Sequence, residues 1–456
     1  MREVWQQIRE RFRPDEWNMP AEWRAERPDS PAGEIIEDLE LPPDGASGRK
    51  FLLVGTVGTG KSTELWRIAE ARAKKGDEFV VFVDLVHHFN NAVGDIEALY
   101  RIKSWEVCFL CGVALLRAGQ EFGHTWDRQK VQALSDAWSA LARATLPAGA
   151  APPSIDLFAA ARSMALFASA AAPLVAPAAF ATAGAGAVVA GGLKALAELA
   201  GAGKWGIPIG KKDTRNIDDQ DDLMQTLVDK VNLLLGDFRQ FSRPVLLVID
   251  GLDRITDAEA AKALFLHSQM ISRLQCPLVV CAPFALRNHL AMAEVRRFEP
   301  VFLHNAPVLD HENPARHGPG VAFMADIFRH RVKGLGAEGL VPGPLLDKLA
   351  YYSGGRSRNF VRMIHMLGDR GWTKDAPAAT EAMVDGVIDE ARRLIESGLR
   401  KEHVALLKAI ALDPAHELPA GANAEDLLSF ARLLPYPNES EWFYPHPLLL
   451  ISKVKV

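Results

Sequence analysis

Cysteine is scarce in this chain, with four in 456 residues. Four thiols cannot staple a chain of this length. Cys108 and Cys111 lie in the apolar run from Val107 to Leu115 and have no second pair at zinc-finger spacing, so buried free thiols are expected. An excess of positive charge is missing too: 52 Lys and Arg stand against 57 Asp and Glu, a net charge of −5. No global field draws in nucleic acid or anionic lipid, and nucleic acid is not an expected partner unless the contact is local. The amino terminus, MREVWQQIRERFRPDEW, is charged throughout and lacks the apolar stretch of a secretory signal. Together with the few cysteines this implies a cytoplasmic protein. No internal repeat at a period of about 20 to 50 residues is visible, which excludes a solenoid or propeller.

What remains is ordinary globular material. Hydrophobic residues make up 48% and charged residues 24%, and the mean hydropathy is near zero, so several compact units with large cores are expected. Residues 1–48, with prolines at 14, 20, 28, 31, 42 and 43, read as one helix and an extended lead-in. Lys50 to Val54 reads as a buried strand, about Lys61 to Lys75 as a helix, Glu78 to Val86 as a second strand and Ile96 to Ala118 as a long apolar helix. The pattern resumes with a helix at Asp221 to Leu235, strands at Val245 to Ile249 and Pro277 to Cys281, and between them a helix at Ala258 to Leu274. Strand and helix alternate as in a parallel α/β sheet.

From Gly320 onward helical periodicity replaces the strands, at Val321 to Val332, Pro344 to Tyr352, Ser357 to Leu367 and Thr380 to Leu399. Two more helices, His403 to Leu412 and Ala424 to Leu434, precede a turn at Pro437-Asn438-Glu439 and a strand at Glu441 to Tyr444, the outline of a winged helix. The expected division is a lead-in at 1–48, an α/β core at 49–310 with an Ala-rich insert at about 145–210, a helical lid at 311–399 and a winged helix at 400–456.

Between the first strand and its helix lies Gly55-Thr56-Val57-Gly58-Thr59-Gly60-Lys61-Ser62, followed by Thr63. This satisfies G-x-x-x-x-G-K-[ST] in the strand-loop-helix context that a phosphate-binding loop needs. Gly55, Gly58, Thr59 and Gly60 let successive N–H groups converge on phosphate oxygens, and the helix start adds the positive end of its dipole. Lys61 reaches the β- and γ-phosphates of ATP, and the Ser62 hydroxyl ligates Mg²⁺. The run Val245 to Ile249 places Asp250 at the carboxyl edge of the sheet as the second Mg²⁺ contributor. Asp253 either orients the attacking water or pairs with Arg254.

GTVGTGKSTELWRIA followed by VLLVIDGLDRI resembles the P-loop ATPases called STAND, signal-transduction ATPases with numerous domains, which are relatives of AAA+ ATPases. The AAA+ pattern has Glu directly after the strand's aspartate; here that position is Gly251, and the resemblance implies slow hydrolysis. It further implies that Tyr351-Tyr352-Ser353-Gly354-Gly355-Arg356-Ser357-Arg358 is a lid entry, with Arg358, or alternatively Arg356, sensing the γ-phosphate. His446 occupies the place of a histidine that touches the β-phosphate of ADP in such modules, although Pro445 and Pro447 replace its usual neighbours and a structural role is the alternative. The strand Pro277 to Cys281 should end in a polar sensor. Ala282-Pro283-Phe284 follows instead, with Arg287 as a substitute or a plain surface arginine.

From Ser163 to Leu193 no residue is charged and 13 positions are alanine. Such a run is long enough to cross a bilayer, yet Pro173, Pro177 and the alanine content favour a soluble helical or flexible insert over a membrane-touching one. The resulting expectation is an ATP-binding, slowly hydrolysing switch that forms a homo-oligomer when ATP-loaded and answers to a separate protein sensor or effector, in signalling or antiviral defence by the resemblance. The alternatives are an ATP-dependent DNA-binding initiator, opposed by the net charge of the last 57 residues, or membrane action through 163–193.

Overall fold

The computed structural model describes residues 1–16, 18–41, 47–145, 155–164, 166–169, 193–196, 205, 207–210, 221–241, 243–288, 292, 297–437 and 441–455. They form two compact units. One comprises Pro31–Val54 with Glu64–Val301, and the other Met1–Ser30, Gly55–Thr63 and Phe302–Val456. The chain is an α/β protein: a mostly parallel sheet of P-loop type, followed by a helical lid and a winged helix.

Seven strands make the sheet: β1 (Lys50–Gly55), β2 (Phe79–Asp84), β3 (Leu166–Ser169), β4 (Lys194–Leu196), β5 (Val245–Asp250), β6 (Leu278–Pro283) and β7 (Glu299–Leu303), in the order β4-β3-β2-β5-β6-β1-β7. Every residue of β1, β2, β5 and β6 is buried. That explains their continuous Val, Leu and Ile runs, since helices cover both faces of a parallel sheet. β2 runs parallel to β5, paired from Phe79 opposite Val245 to Asp84 opposite Asp250, and β5 runs parallel to β6.

Among the described residues of the insert, Leu157–Ser163 is a helix, as the helical reading has it, but β3, antiparallel to β2, and β4, antiparallel to β3, follow and were not expected. Phe167 sits edge-on to Phe82 and Trp66, which gives an aromatic anchor to a strand that alanine frequency hid. The rest of the insert between 170 and 192 lies outside the described residues, and so does that part of the membrane expectation. Among the described residues no helix is long and apolar enough to cross a membrane.

Two expected helices are interrupted. The segment Ile96 to Ala118 splits into Ile96–Leu99 and Ser104–Glu121, because the Glu106 carboxylate accepts the Lys103 N–H at 2.8 Å and starts a new helix there. The helix from Ser104 is buried around nearly its whole circumference, as an all-round apolar helix must be. Ala258 to Leu274 becomes a short helix at Ala258–Lys262, a wider turn at Ala263–His267 and a tight turn at Ile271–Arg273. All four cysteines are buried and free, and burial pushes the Cys276 thiol up to about 12.

The other unit is built around the helices Gly320–Val332, Gly343–Tyr352, Ser357–Lys374 and Glu381–Glu396. The amino-terminal helix Arg2–Arg11 packs into it, with Trp5, Ile8 and Phe12 fully buried in the same core as Phe328, Phe360 and Ile364. A side chain at Gly371 would come within 2.3 Å of the Trp5 ring. The Trp5 indole also donates to the Ala376 carbonyl at 2.8 Å. Helices Lys401–Leu412 and Ala422–Ser429 then lead to β8 (Leu433–Tyr436) and β9 (Trp442–Pro445), an antiparallel hairpin pairing Leu433 with Pro445 and Tyr436 with Trp442.

Trp5→Ala removes a fully buried indole and orphans the Ala376 carbonyl, so it should cost about 3 to 5 kcal/mol of stability. A shift of the urea midpoint for this variant, read by circular dichroism, measures it; an unchanged midpoint would show that the amino-terminal helix is dispensable.

Candidate functional site

The phosphate loop Gly55–Thr63 belongs to the unit that also holds the lid and hairpin. Gly58 (φ 93°) and Gly60 (φ 110°) adopt the left-handed conformation that side chains resist, so the motif's glycines are needed for its backbone path. Five successive carbonyls of the loop accept hydrogen bonds. Gly55 O and Thr56 O accept from Lys61 Nζ at 2.7 and 2.8 Å. Val57 O accepts from Arg356 Nε at 3.0 Å, and Gly58 O from the Arg358 backbone N–H at 3.2 Å. Thr59 O accepts from Arg27 Nη1 at 2.9 Å. Because C=O and the next N–H point oppositely across a trans peptide, holding these carbonyls turns the following amides the other way. Amides turned away from held carbonyls, and a helix beginning at Lys61, are what a polyphosphate cradle requires.

Three of these holding groups carry positive charge, and one of them, Arg27, was not visible in the sequence. Arg27 is buried, forks onto the Asp29 carboxylate at 2.6 and 3.0 Å, and also donates to His304 O at 2.6 Å. Burial raises and the Arg27 contact lowers the Asp29 pKa, with a net depression. Of the two lid arginines, Arg356 meets the loop through its guanidinium and Arg358 through its backbone.

The segment His304-Asn305-Ala306 joins the parts of this unit. Asn305 is fully buried; its Oδ1 accepts from Thr56 Oγ1 at 3.2 Å while its Nδ2 donates to Pro435 O in β8 at 2.9 Å. The His304 ring pairs with Glu441 at 2.6 Å beside β9. Ala306 N donates to Gly355 O at 3.0 Å, and a side chain at Gly355 (φ 73°) would collide with Ala306 O. This explains the Gly-Gly of the lid entry. Its partner Gly354 (φ 68°) lets Tyr436 Oη reach Gly354 O at 3.0 Å and leaves room for His446.

His446 is fully buried. Its Nδ1 accepts from the Leu448 N–H at 3.3 Å and its Nε2 faces Asn359 Nδ2 at 3.2 Å. Burial, reinforced by the charges of Arg356 and Arg432, lowers its pKa to about 3.

In the sheet unit, Asp250 is buried at the end of β5 and accepts the Gly251 N–H at 2.9 Å. Cys281 Sγ accepts the same N–H at 3.0 Å and lies 3.7 Å from Asp253 Oδ1. Ligand atoms of Asp250, Asp253 and Cys281 fall within 4.8 Å of one another. The two carboxylates suit Mg²⁺, whose preference is for hard oxygen donors; the thiol does not, and its hydrogen bonds give it a positioning role instead. β6 therefore does carry a polar group, Cys281, two residues before its end at Pro283, where the sequence seemed to offer only Ala282-Pro283-Phe284.

Three solved structures are similar in fold. They are the Aeropyrum pernix ORC2 protein in its ADP form (TM-score 0.42, 14% identity, covering 97% of this chain and 94% of that one), Drosophila ORC bound to DNA (0.40, 12%, 90% and 72%) and the A. pernix ORC1 protein in complex with DNA (0.38, 11%, 96% and 96%). No protein-family model matches the sequence, and no curated protein does.

The buried histidine sets a pH dependence. With a native pKa of about 3 against about 6.5 when unfolded, His446 stays neutral in the fold while the unfolded chain takes up a proton below pH 6.5. Its stability contribution is present above pH 6.5 and is lost as pH falls toward 3, by about 2 kcal/mol at pH 5. In urea titrations at pH 7 and pH 5, His446→Gln should lose less stability on acidification than wild type; equal losses would contradict this.

Proposed function

We propose that the chain is an ATP-binding, slowly hydrolysing switch in which the state of the phosphate loop is passed to the lid and the winged helix. The observation that carries this reading is the buried relay from Thr56 through Asn305 to Pro435, flanked by the Ala306 to Gly355 hydrogen bond. A loop that only bound nucleotide would need no polar side chain bridging it to a hairpin nearly 400 residues later in the chain, and a buried amide satisfied on both sides holds one geometry.

In this reading Lys61 leaves its own loop carbonyls for the β- and γ-phosphates, and the amides turned by the glycines bind the remaining oxygens. Ser62, Asp250 and Asp253 are the residues that would hold Mg²⁺, which neutralises charge developing on the phosphates. Thr59 and Thr63 lie on the same turn as the lysine. Arg356 and Arg358, already on the loop, are the groups whose pairing would change with the γ-phosphate, and His446 responds through Asn359 and Gly354 rather than by exposure. A ligand moves such an equilibrium only by its different affinity for the two arrangements.

Homo-oligomer formation with ATP and a separate protein sensor or effector belong to the same proposal, and light scattering with ATPγS and with ADP tests the first. A second reading, ATP-dependent binding of duplex DNA, is favoured by the helix-helix-hairpin ending at residues 401–445. Salt-dependent retention of duplex DNA in a filter assay with ATP would select it over the protein-partner output.

Two outcomes are expected. Lys61→Ala should weaken binding of a fluorescent ATP analogue by at least about 100-fold, since the lysine supplies the charge on the β- and γ-phosphates. Asn305→Ala should keep nucleotide binding but abolish an ATP-against-ADP difference in amide exchange across residues 433–445. Identical exchange in both nucleotides for wild type would remove the switch.

A further inference from the structure

β5 ends in Asp250, and the next position, Gly251, has no carboxylate to act on water. Nor can it easily acquire one. Gly251 sits at φ 102°, and a side chain there would lie 3.0 Å from both the backbone N and the Cγ2 of Val86. A carboxylate for hydrolysis must come from elsewhere at the same edge of the sheet.

The neighbouring strand supplies one. β2 pairs in parallel with β5, and its last residue, Asp84, stands directly opposite Asp250. In-register partners on adjacent strands are about 5 Å apart and share a face of the sheet. Asp84 is buried, and its side chain is held by accepting the His87 N–H at 2.9 Å as the cap of the helix Leu85–His88. Asp253, by contrast, is grouped with Asp250 and Cys281 on the β6 side, as a cation-binding set would be. Asp250 thus has a cation-side carboxylate toward β6 and a second carboxylate, Asp84, toward β2.

We propose that Asp84 is the carboxylate that orients and deprotonates the hydrolytic water, taking the role that glutamate would have at position 251. This rests on the ATPase reading above. The water oxygen forms a bond to the γ-phosphorus, and the bond from that phosphorus to the β–γ bridging oxygen breaks with its electron pair remaining on ADP. The water proton passes to the Asp84 carboxylate and from there to solvent, so that ATP and water give ADP, phosphate and a proton.

Asp84→Asn keeps a side chain that accepts the His87 N–H, so the helix cap survives while the carboxylate charge is lost. Asp84→Ser retains a cap by a different group and guards against a fault peculiar to asparagine. Both variants should bind the fluorescent ATP analogue within about threefold of wild type and melt at the same temperature, while steady-state hydrolysis falls by about 100-fold or more, the usual contribution of a general base. Asp84→Asn incubated with ATP and passed through gel filtration should carry ATP, where wild type carries ADP. Hydrolysis close to wild type in both variants overturns the assignment while leaving the ATPase reading standing. Parallel loss of nucleotide affinity or melting temperature also overturns it, making Asp84 a structural cap. If wild type itself neither binds nor hydrolyses ATP, and matches Lys61→Ala throughout, the ATPase reading falls and this assignment with it.

Discussion

A peptide carbonyl taken out of water must find a donor, and five of them in a row, Gly55 to Thr59, do so from Lys61, Arg356, Arg358 and Arg27. Much of the helical unit is arranged around that requirement. Arg27 can reach Thr59 only because the lead-in is anchored by Trp5, Ile8 and Phe12 in the lid core. Arg356 can reach Val57 only because Gly354 and Gly355 take conformations that bring the lid entry against Ala306. The same glycines leave the space that His446 and Tyr436 fill from the hairpin. A loop defined by eight residues of sequence is thus shaped by groups drawn from three distant segments.

The electrostatics follow from this. Three cations gather around one turn of backbone, and a histidine close to one of them is kept neutral. Such a concentration of positive charge favours a polyanion at the turn. It also discourages a second cationic group from entering the hairpin side, which is where His446 stays uncharged.

The sheet was legible because periodicity and burial coincide there. KFLLV, FVVFVD, VLLVID and LVVC are buried throughout, so their apolar runs are continuous. The phosphate loop was legible because its glycines are demanded by backbone conformation. Phe167, which makes β3 a strand, was masked by alanines around it, and the break before Ser104 by the apolar continuity of Ile96 to Ala118, which hid the capping carboxylate of Glu106. Arg27, Asn305 and Cys281 carried no signal because each acts through a partner 28 or more residues away in the chain, and a single arginine, asparagine or cysteine has no local pattern.

The order of synthesis adds a consequence. The groups that shape the phosphate loop come from residues 27, 305 and 356, and the hairpin bonded to Asn305 follows at 433–445. The loop itself leaves the ribosome about 300 residues before Arg356 is made, and that closure is among the longest in the chain. A nascent chain therefore holds the motif long before it holds the fold of the motif. On the proposed reading, competence to bind nucleotide would arrive only near the end of translation, so an occupied site would mark a finished molecule.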